Sequence, residues 1–324
     1  MAKTLRTRAR QLARAWRRRL RPLPEAPAWV QVEINNTCNL NCVMCPRQAM
    51  DRPLRHMTFE EVCDIADKCR EARVPRLRLF LLGEPLLHPQ LPDMIAYAKK
   101  IGIPSVEFNT NAALLSPSKA DEIIKAGLDE IVFSLDGADK ETYEAIRRGA
   151  DFQQVTDNVA HFCRRREQRG VTRPRIIVQT IVMDSTRGQV PAFRRRWEPL
   201  ADEVQVQCIR EYHGVEGLRT TDIRSEDELR PCPALWEYLI ILADLRVVPC
   251  CVDINGDMTL ADITQTDMRT VWRTNDTLNR LRADHLRYDY TRLPLCAGCE
   301  FTNVSLIKRK AAEAALASDG GEGH

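Results

Sequence analysis

Short apolar runs alternate along the chain with stretches whose apolar residues recur every three or four positions, the pattern of parallel βαβ units. The runs "VQVEI" (30–34), "RLRLFLL" (76–82), "SVEFNT" (105–110), "EIVFSLD" (130–136), "RIIVQTIVM" (175–183) and "EVQVQCI" (203–209) predict strands. Segments 59–73, 91–101, 116–126, 140–148, 152–168 and 189–200 predict the helices between them. Six strands with intervening helices fit an α/β fold built as an open, partial (β/α)6 barrel better than a closed eightfold one. The barrel is expected over 30–213, followed by a polar linker at 214–229 that breaks the rhythm. Residues 230–308 then read as a smaller domain of short elements rich in cysteine. A basic leader at 1–29, ending in the Pro-rich "RPLPEAPAW", precedes the barrel, and a tail at 309–324, ending in "SDGGEGH", is expected to be disordered.

Composition changes this picture little: 44% hydrophobic and 29% charged residues are ordinary for a soluble globular chain. No stretch approaches the roughly 20 apolar residues that span a bilayer. The amino terminus also lacks the basic start, long apolar run and small-residue cleavage site of a signal peptide. A soluble, cytoplasmic protein is expected, whose twelve cysteines serve as metal-bound or catalytic thiols rather than disulfides. Charge is more telling. Residues 1–22 carry nine basic residues and no acid, and the remainder sets 39 Lys and Arg against 45 Asp and Glu. Leu5, Leu12, Trp16 and Leu20 fall roughly on one face of a helix that could rest on a membrane surface, an acidic partner or nucleic acid. A solvated leader is the plainer reading, and no nucleic-acid partner is expected. The acidic body is compatible with a cationic substrate.

Directly after the first predicted strand, "NNTCNLNCVMCPR" sets Cys38, Cys42 and Cys45 in C-x3-C-x2-C spacing. Three thiolates on one loop suit a 4Fe-4S cluster and leave one iron open. A zinc site short of its fourth ligand, or three merely buried thiols, fits poorly where loops at strand C-terminal ends carry chemistry. In this loop the chain resembles the radical S-adenosylmethionine (SAM) superfamily. The resemblance implies that SAM chelates the open iron and that one-electron reduction, by a flavodoxin- or ferredoxin-type partner, cleaves it to methionine and a 5'-deoxyadenosyl radical. It extends to "LLGEPLLHP", which is similar to the family's Gly-Gly-Glu-Pro segment with Leu82 in place of the first glycine. Gly83 and Glu84 are the SAM-binding residues this implies. Asn109 in "FNTNAALL" and Ser134 in "FSLDG" end the next two strands, where the family meets SAM, while Asp136 is expected to face SAM or substrate. Residues of these types also occupy strand ends for backbone reasons. Met44 stands where the family often packs an aromatic residue near adenine, a contact methionine can also make.

Past residue 230 the chain offers Cys232, the adjacent pair Cys250 and Cys251 in "RVVPCCVDINGD", and Cys296 and Cys299 in "LPLCAGCEF". Four thiolates close every iron of a cubane, and they equally satisfy tetrahedral zinc. The region resembles the SPASM or shorter twitch extensions of radical SAM enzymes that carry one auxiliary 4Fe-4S cluster. Gaps of 18 residues from Cys232 to Cys250, 46 to Cys296 and 3 to Cys299 are similar to those of aminocyclitol dehydrogenases of that group, with Trp272 at the expected aromatic position. The resemblance implies Cys232, Cys250, Cys296 and Cys299 as ligands, with Cys250 and Cys251 able to exchange roles. Cys63, Cys69, Cys163 and Cys208 read as small hydrophobes, Cys208 alone near a strand end, and Glu211, Tyr212 and His213 follow it.

Cys251 is then free for chemistry. A thiol facing the barrel can return a hydrogen atom to the opposite face of a carbon radical, because S–H is weaker than a sugar C–H. This resembles radical SAM epimerases of aminoglycoside biosynthesis and implies inversion of one sugar carbon of an aminoglycoside or related oligosaccharide. A dehydrogenase oxidising a secondary alcohol of an aminocyclitol or sugar is the second reading, a peptide-modifying enzyme the third. A non-enzymatic electron carrier or zinc protein is disfavoured by the open three-cysteine site and the Gly83-Glu84 segment.

Overall fold

The computed structural model describes residues 23–209, 230–290, 293–297 and 299–302. Most of the basic leader, the linker, the tail, and Glu211, Tyr212 and His213 lie outside the described residues. Six strands, β1 (Trp29–Val32), β2 (Arg76–Arg78), β3 (Ser105–Thr110), β4 (Glu130–Ser134), β5 (Arg175–Val182) and β6 (Glu203–Cys208), pair in sequence order and all in parallel. Helices α1 (Phe59–Glu71), α2 (Leu91–Lys100), α3 (Pro117–Ala126), α4 (Lys140–Ile146), α5 (Phe152–Gln168) and α6 (Val190–Trp197) connect them. This is the open six-stranded α/β barrel that the periodicity predicts.

Local chemistry fixes the helix ends. Thr58 and Glu61 form a reciprocal capping box at the start of α1. Ser116, Asp139 and Asp151 cap α3, α4 and α5 by accepting from backbone N–H groups. Gly127, at φ +86°, closes α3 in the left-handed region. The helices then lay one apolar stripe on the sheet, as Val62, Ile65, Ala66 and Cys69 of α1 do.

The carboxy-terminal segment continues the same sheet. Strand β7 (Tyr238–Ile241) pairs in parallel with β1, from Trp29 opposite Tyr238 to Val32 opposite Ile241. Strands β8 (Arg246–Val248) and β9 (Ala261–Asp262) add antiparallel partners, giving the order β6-β5-β4-β3-β2-β1-β7-β8-β9. Helices α7 (Met268–Thr274) and α8 (Asp276–Arg287) follow. One core runs from Val30 and Leu77 through to Val247, Ile263 and Trp272, and Trp272 donates its indole N–H to Pro24 O at 2.8 Å.

The junction holds a buried ion pair. Arg52 meets Glu33 at 2.8 Å with both side chains almost fully buried, and its Nε donates to Ile254 O at 2.7 Å. Burial pushes the Glu33 carboxyl up, and the Arg52 charge pulls it back. Arg52→Met strands the carboxylate and is expected to cost about 3–5 kcal/mol in anaerobic urea unfolding of the holoenzyme. A loss under ~1 kcal/mol, typical of an exposed pair, would contradict this role.

Candidate active site

The loop after β1 is held by its asparagines. Asn36 donates to Pro53 O and accepts from Arg55 N–H, while Asn35 donates to Glu84 O at 3.0 Å. Asn41 N–H and Val43 N–H donate to Arg148 O and Ile146 O, which seats the cysteine loop on the end of α4. Cys38, Cys42 and Cys45 are half-buried and line one open cavity of about 840 Å³ between the barrel strands and the carboxy-terminal segment. Burial pushes all three thiols up, and each feels a neighbouring cysteine of the loop. Bare thiolates are therefore unfavourable there without a cation to compensate them, which suits soft donors around iron.

The β2 end departs from the predicted strand 76–82: the ladder stops at Arg78 and the chain turns beneath Asn35. A Cβ on Gly83 would stand 2.0 Å from Asn35 Oδ1 and 2.2 Å from Asn35 O, so only glycine lets the two backbones pass. Glu84 is buried and fully engaged. One carboxylate oxygen accepts from Thr110 Oγ1 at 2.7 Å and Leu86 N–H at 3.0 Å, and the other from Asn111 N–H at 2.8 Å. Glu84 thus ties the ends of β2 and β3 together below the cysteine loop.

Gly83, Glu84, Asn109 and Ser134 all line the cavity, as do Met44 and Cys208. Asp136 does not face it. It is wholly buried, accepting Ile181 N–H at 2.7 Å and gripping Arg147 at 2.7 and 2.9 Å. Arg147 reaches the cavity in its place, close enough to pull the Cys42 thiol back down against burial. In the sequence Arg147 reads as an ordinary basic residue near the end of the predicted helix 140–148. The cavity wall is mixed: Gln31, Arg78, Glu107, Glu130, Gln179, Gln205 and Gln207 stand among Trp29, Phe80, Val132, Ile177, Ile181 and Val206, with Glu107 held by Arg76 and Arg78.

The second cysteine group lies on the β7–β8 side. Cys232 precedes a turn at Pro233–Trp236, Cys250 and Cys251 follow β8, and Cys299 N–H donates to Cys296 O within the last turn. Burial pushes Cys232, Cys296 and Cys299 each up to about 12, and Cys250 well above its ordinary value. Cys250 feels Cys251 first and then Cys232 and Cys299, Cys232 feels Cys296 and Cys251, and Cys299 feels Cys232 and Cys251, so all five thiols share one neighbourhood. Among the described residues no three His, Cys, Asp or Glu side chains stand ready to grip a single metal ion. Of these five cysteines, Cys251 alone lines the barrel cavity; it is 8% exposed and packs against Ile240, Leu242, Val248 and Val252. Cys69 and Cys163 are buried away from it.

Residues 32–179 match the family model of the radical SAM superfamily, and residues 232–300 match that of the SPASM iron-sulfur cluster-binding domain. The chain thus carries a radical SAM domain followed by a SPASM domain. The second match decides between the iron-sulfur and zinc readings of the carboxy-terminal cysteines. This radical SAM protein therefore has a SAM-binding 4Fe-4S cluster and an auxiliary cluster. A GTP 3',8-cyclase of Chlorobaculum tepidum is 33% identical over 129 residues, 40% of this chain and 38% of that protein. The chain thus spans about two fifths of that relative's length. The fold is similar to that of BtrN in complex with AdoMet and 2-DOIA, with a TM-score of 0.56, 16% identity and coverage of 86% of this chain and 94% of that one. It is also similar to Streptococcus suis SuiB bound to S-adenosylmethionine, with a TM-score of 0.68, 15% identity and coverage of 89% and 76%. Among the described residues no helix is long and apolar enough to cross a membrane.

Proposed function

We propose that the protein is a radical SAM epimerase that inverts one sugar carbon of an aminoglycoside or related oligosaccharide in antibiotic biosynthesis, with Cys251 as the hydrogen donor. The observation that carries this reading is the division of the adjacent pair: Cys251 lines the cavity with Cys38, Cys42 and Cys45, while Cys250 does not. In this reading Cys38, Cys42 and Cys45 hold the SAM-binding cluster. Gly83, Glu84, Asn109 and Ser134 form the SAM contacts, and Cys232, Cys250, Cys296 and Cys299 hold the auxiliary cluster. When bound, SAM on its cluster supplies a 5'-deoxyadenosyl radical that takes a hydrogen atom from a substrate C–H bond. Cys251 then gives its S–H hydrogen to the opposite face of that carbon: a C–H bond forms, the S–H bond breaks, and the sulfur is left one electron and one proton short. One electron for SAM cleavage and one electron with a proton for the thiol come from a flavodoxin- or ferredoxin-type reductant. The substrate is neither oxidised nor reduced overall.

The glutamine, glutamate and arginine side chains that stand among the apolar residues of this cavity of about 840 Å³ support a polyhydroxylated, amine-bearing substrate. The second reading, oxidation of a secondary alcohol, is supported by the near end-to-end likeness to BtrN in complex with 2-DOIA. Incubating reduced holoenzyme with SAM and a panel of aminoglycosides separates the two. Epimerisation predicts a product isomeric with its substrate, and a product lighter by two hydrogens would replace this reading with dehydrogenation.

A further inference from the structure

Tyr238 opens β7 and lines the cavity beside Cys251. Its hydroxyl lies 3.9 Å from Cys251 Sγ, within hydrogen-bond range for sulfur. The ring is fixed independently of that contact. Tyr238 is the register partner of Trp29 across β1 and β7, and the two rings stack at 4.8 Å with 21° between their planes. The Arg78 guanidinium lies 4.8 Å from the Trp29 ring centre, and Glu107 holds Arg78 at 3.0 Å. A phenol carried on a cross-strand stack has one direction in which to present its hydroxyl, and here that direction meets the sulfur.

We infer that Tyr238 is a positioning residue for Cys251. Its phenol donates O–H to the sulfur and holds the side chain toward the cavity. The direction of donation follows from chemistry: a phenol is a good donor and a thiol a weak one. Donation the opposite way would spend the thiol hydrogen on the tyrosine. The contact stands apart from any particular reaction, whereas its use in hydrogen return rests on the epimerase reading above.

Tyr238→Phe keeps the ring and the stack and removes only the hydroxyl, so two measurements on anaerobic holoenzyme test the inference. In the first, iodoacetamide labelling is followed by peptide mass spectrometry without substrate. The rate at Cys251 is expected to change at least about threefold, as a thiol released from its hydrogen bond re-orients, while Cys63, remote from the cavity, labels as in wild type. In the second, aminoglycoside turnover is expected to consume about tenfold more SAM per product, because a misdirected donor lets substrate radicals go unquenched, with SAM cleavage itself unchanged. Unchanged Cys251 labelling overturns the inference whatever the reaction proves to be. So does a variant that loses iron or slows SAM cleavage, since either assigns Tyr238 a structural task. Altered labelling in an enzyme whose turnover never depends on Cys251 would instead retain the contact and reject the epimerase reading.

Discussion

Cys42→Ala is expected to abolish SAM cleavage while leaving the auxiliary cluster in place. Cys42 stands on a loop seated on the end of α4 by Asn41 and Val43, and its thiol lines the cavity under the pull of Arg147. Removing it leaves two of the three proposed protein ligands, too few to retain a cubane with one open iron. Formation of 5'-deoxyadenosine should fall by at least ~10⁶-fold, the low end of what enzymes contribute to a rate. Iron per chain should drop by half. The control is Cys69→Ala, at a fully buried thiol of α1 packed in the core and away from the cavity. That variant should keep its iron and its cleavage rate and lose roughly 1 kcal/mol of stability, as removal of a small buried group does. Equal iron and equal cleavage in Cys42→Ala would place the SAM-binding cluster elsewhere.

Much of the barrel was legible because its elements are simple periodic patterns. β3 at Ser105–Thr110 and α5 at Phe152–Gln168 coincide with the predicted runs, since each is a clean pattern with turn or capping residues at its ends. "RLRLFLL" predicts a longer β2 because it ends in four consecutive apolar residues, whereas the strand gives way after Arg78 to the turn that slides Gly83 past Asn35, a contact no local pattern encodes. The pairing of β1 with β7 was also out of reach, because parallel partners about 209 residues apart leave no periodic trace. For the same reason Trp29, read as the end of the leader, is the first residue of β1 and a wall of the cavity. At the site, cysteine spacing located both thiol groups, and the strand-end motifs located Gly83, Glu84, Asn109 and Ser134 in the cavity. Asp136 and Arg147 exchanged places because a strand-end carboxylate looks functional and a helix-end arginine does not, until burial shows the first serving to hold the second.

Cys251→Ala should separate substrate-radical formation from its quenching. The side chain is small and 8% exposed, in a cluster with Ile240, Leu242, Val248 and Val252, so alanine fills most of its volume and spares the fold. None of the proposed SAM contacts depends on it. The variant is expected to cleave SAM within about twofold of the wild-type rate and to form no inverted product, the signature of losing a group used only after the first hydrogen transfer.

The most direct measurement is aminoglycoside turnover in deuterated water with wild type and Cys251→Ala side by side. The exchangeable thiol then carries deuterium. The account predicts one deuterium at the single inverted carbon with wild type, and 5'-deoxyadenosine without epimer from the variant. Epimer formed by Cys251→Ala, or a wild-type product lacking two hydrogens and free of solvent deuterium, would contradict it.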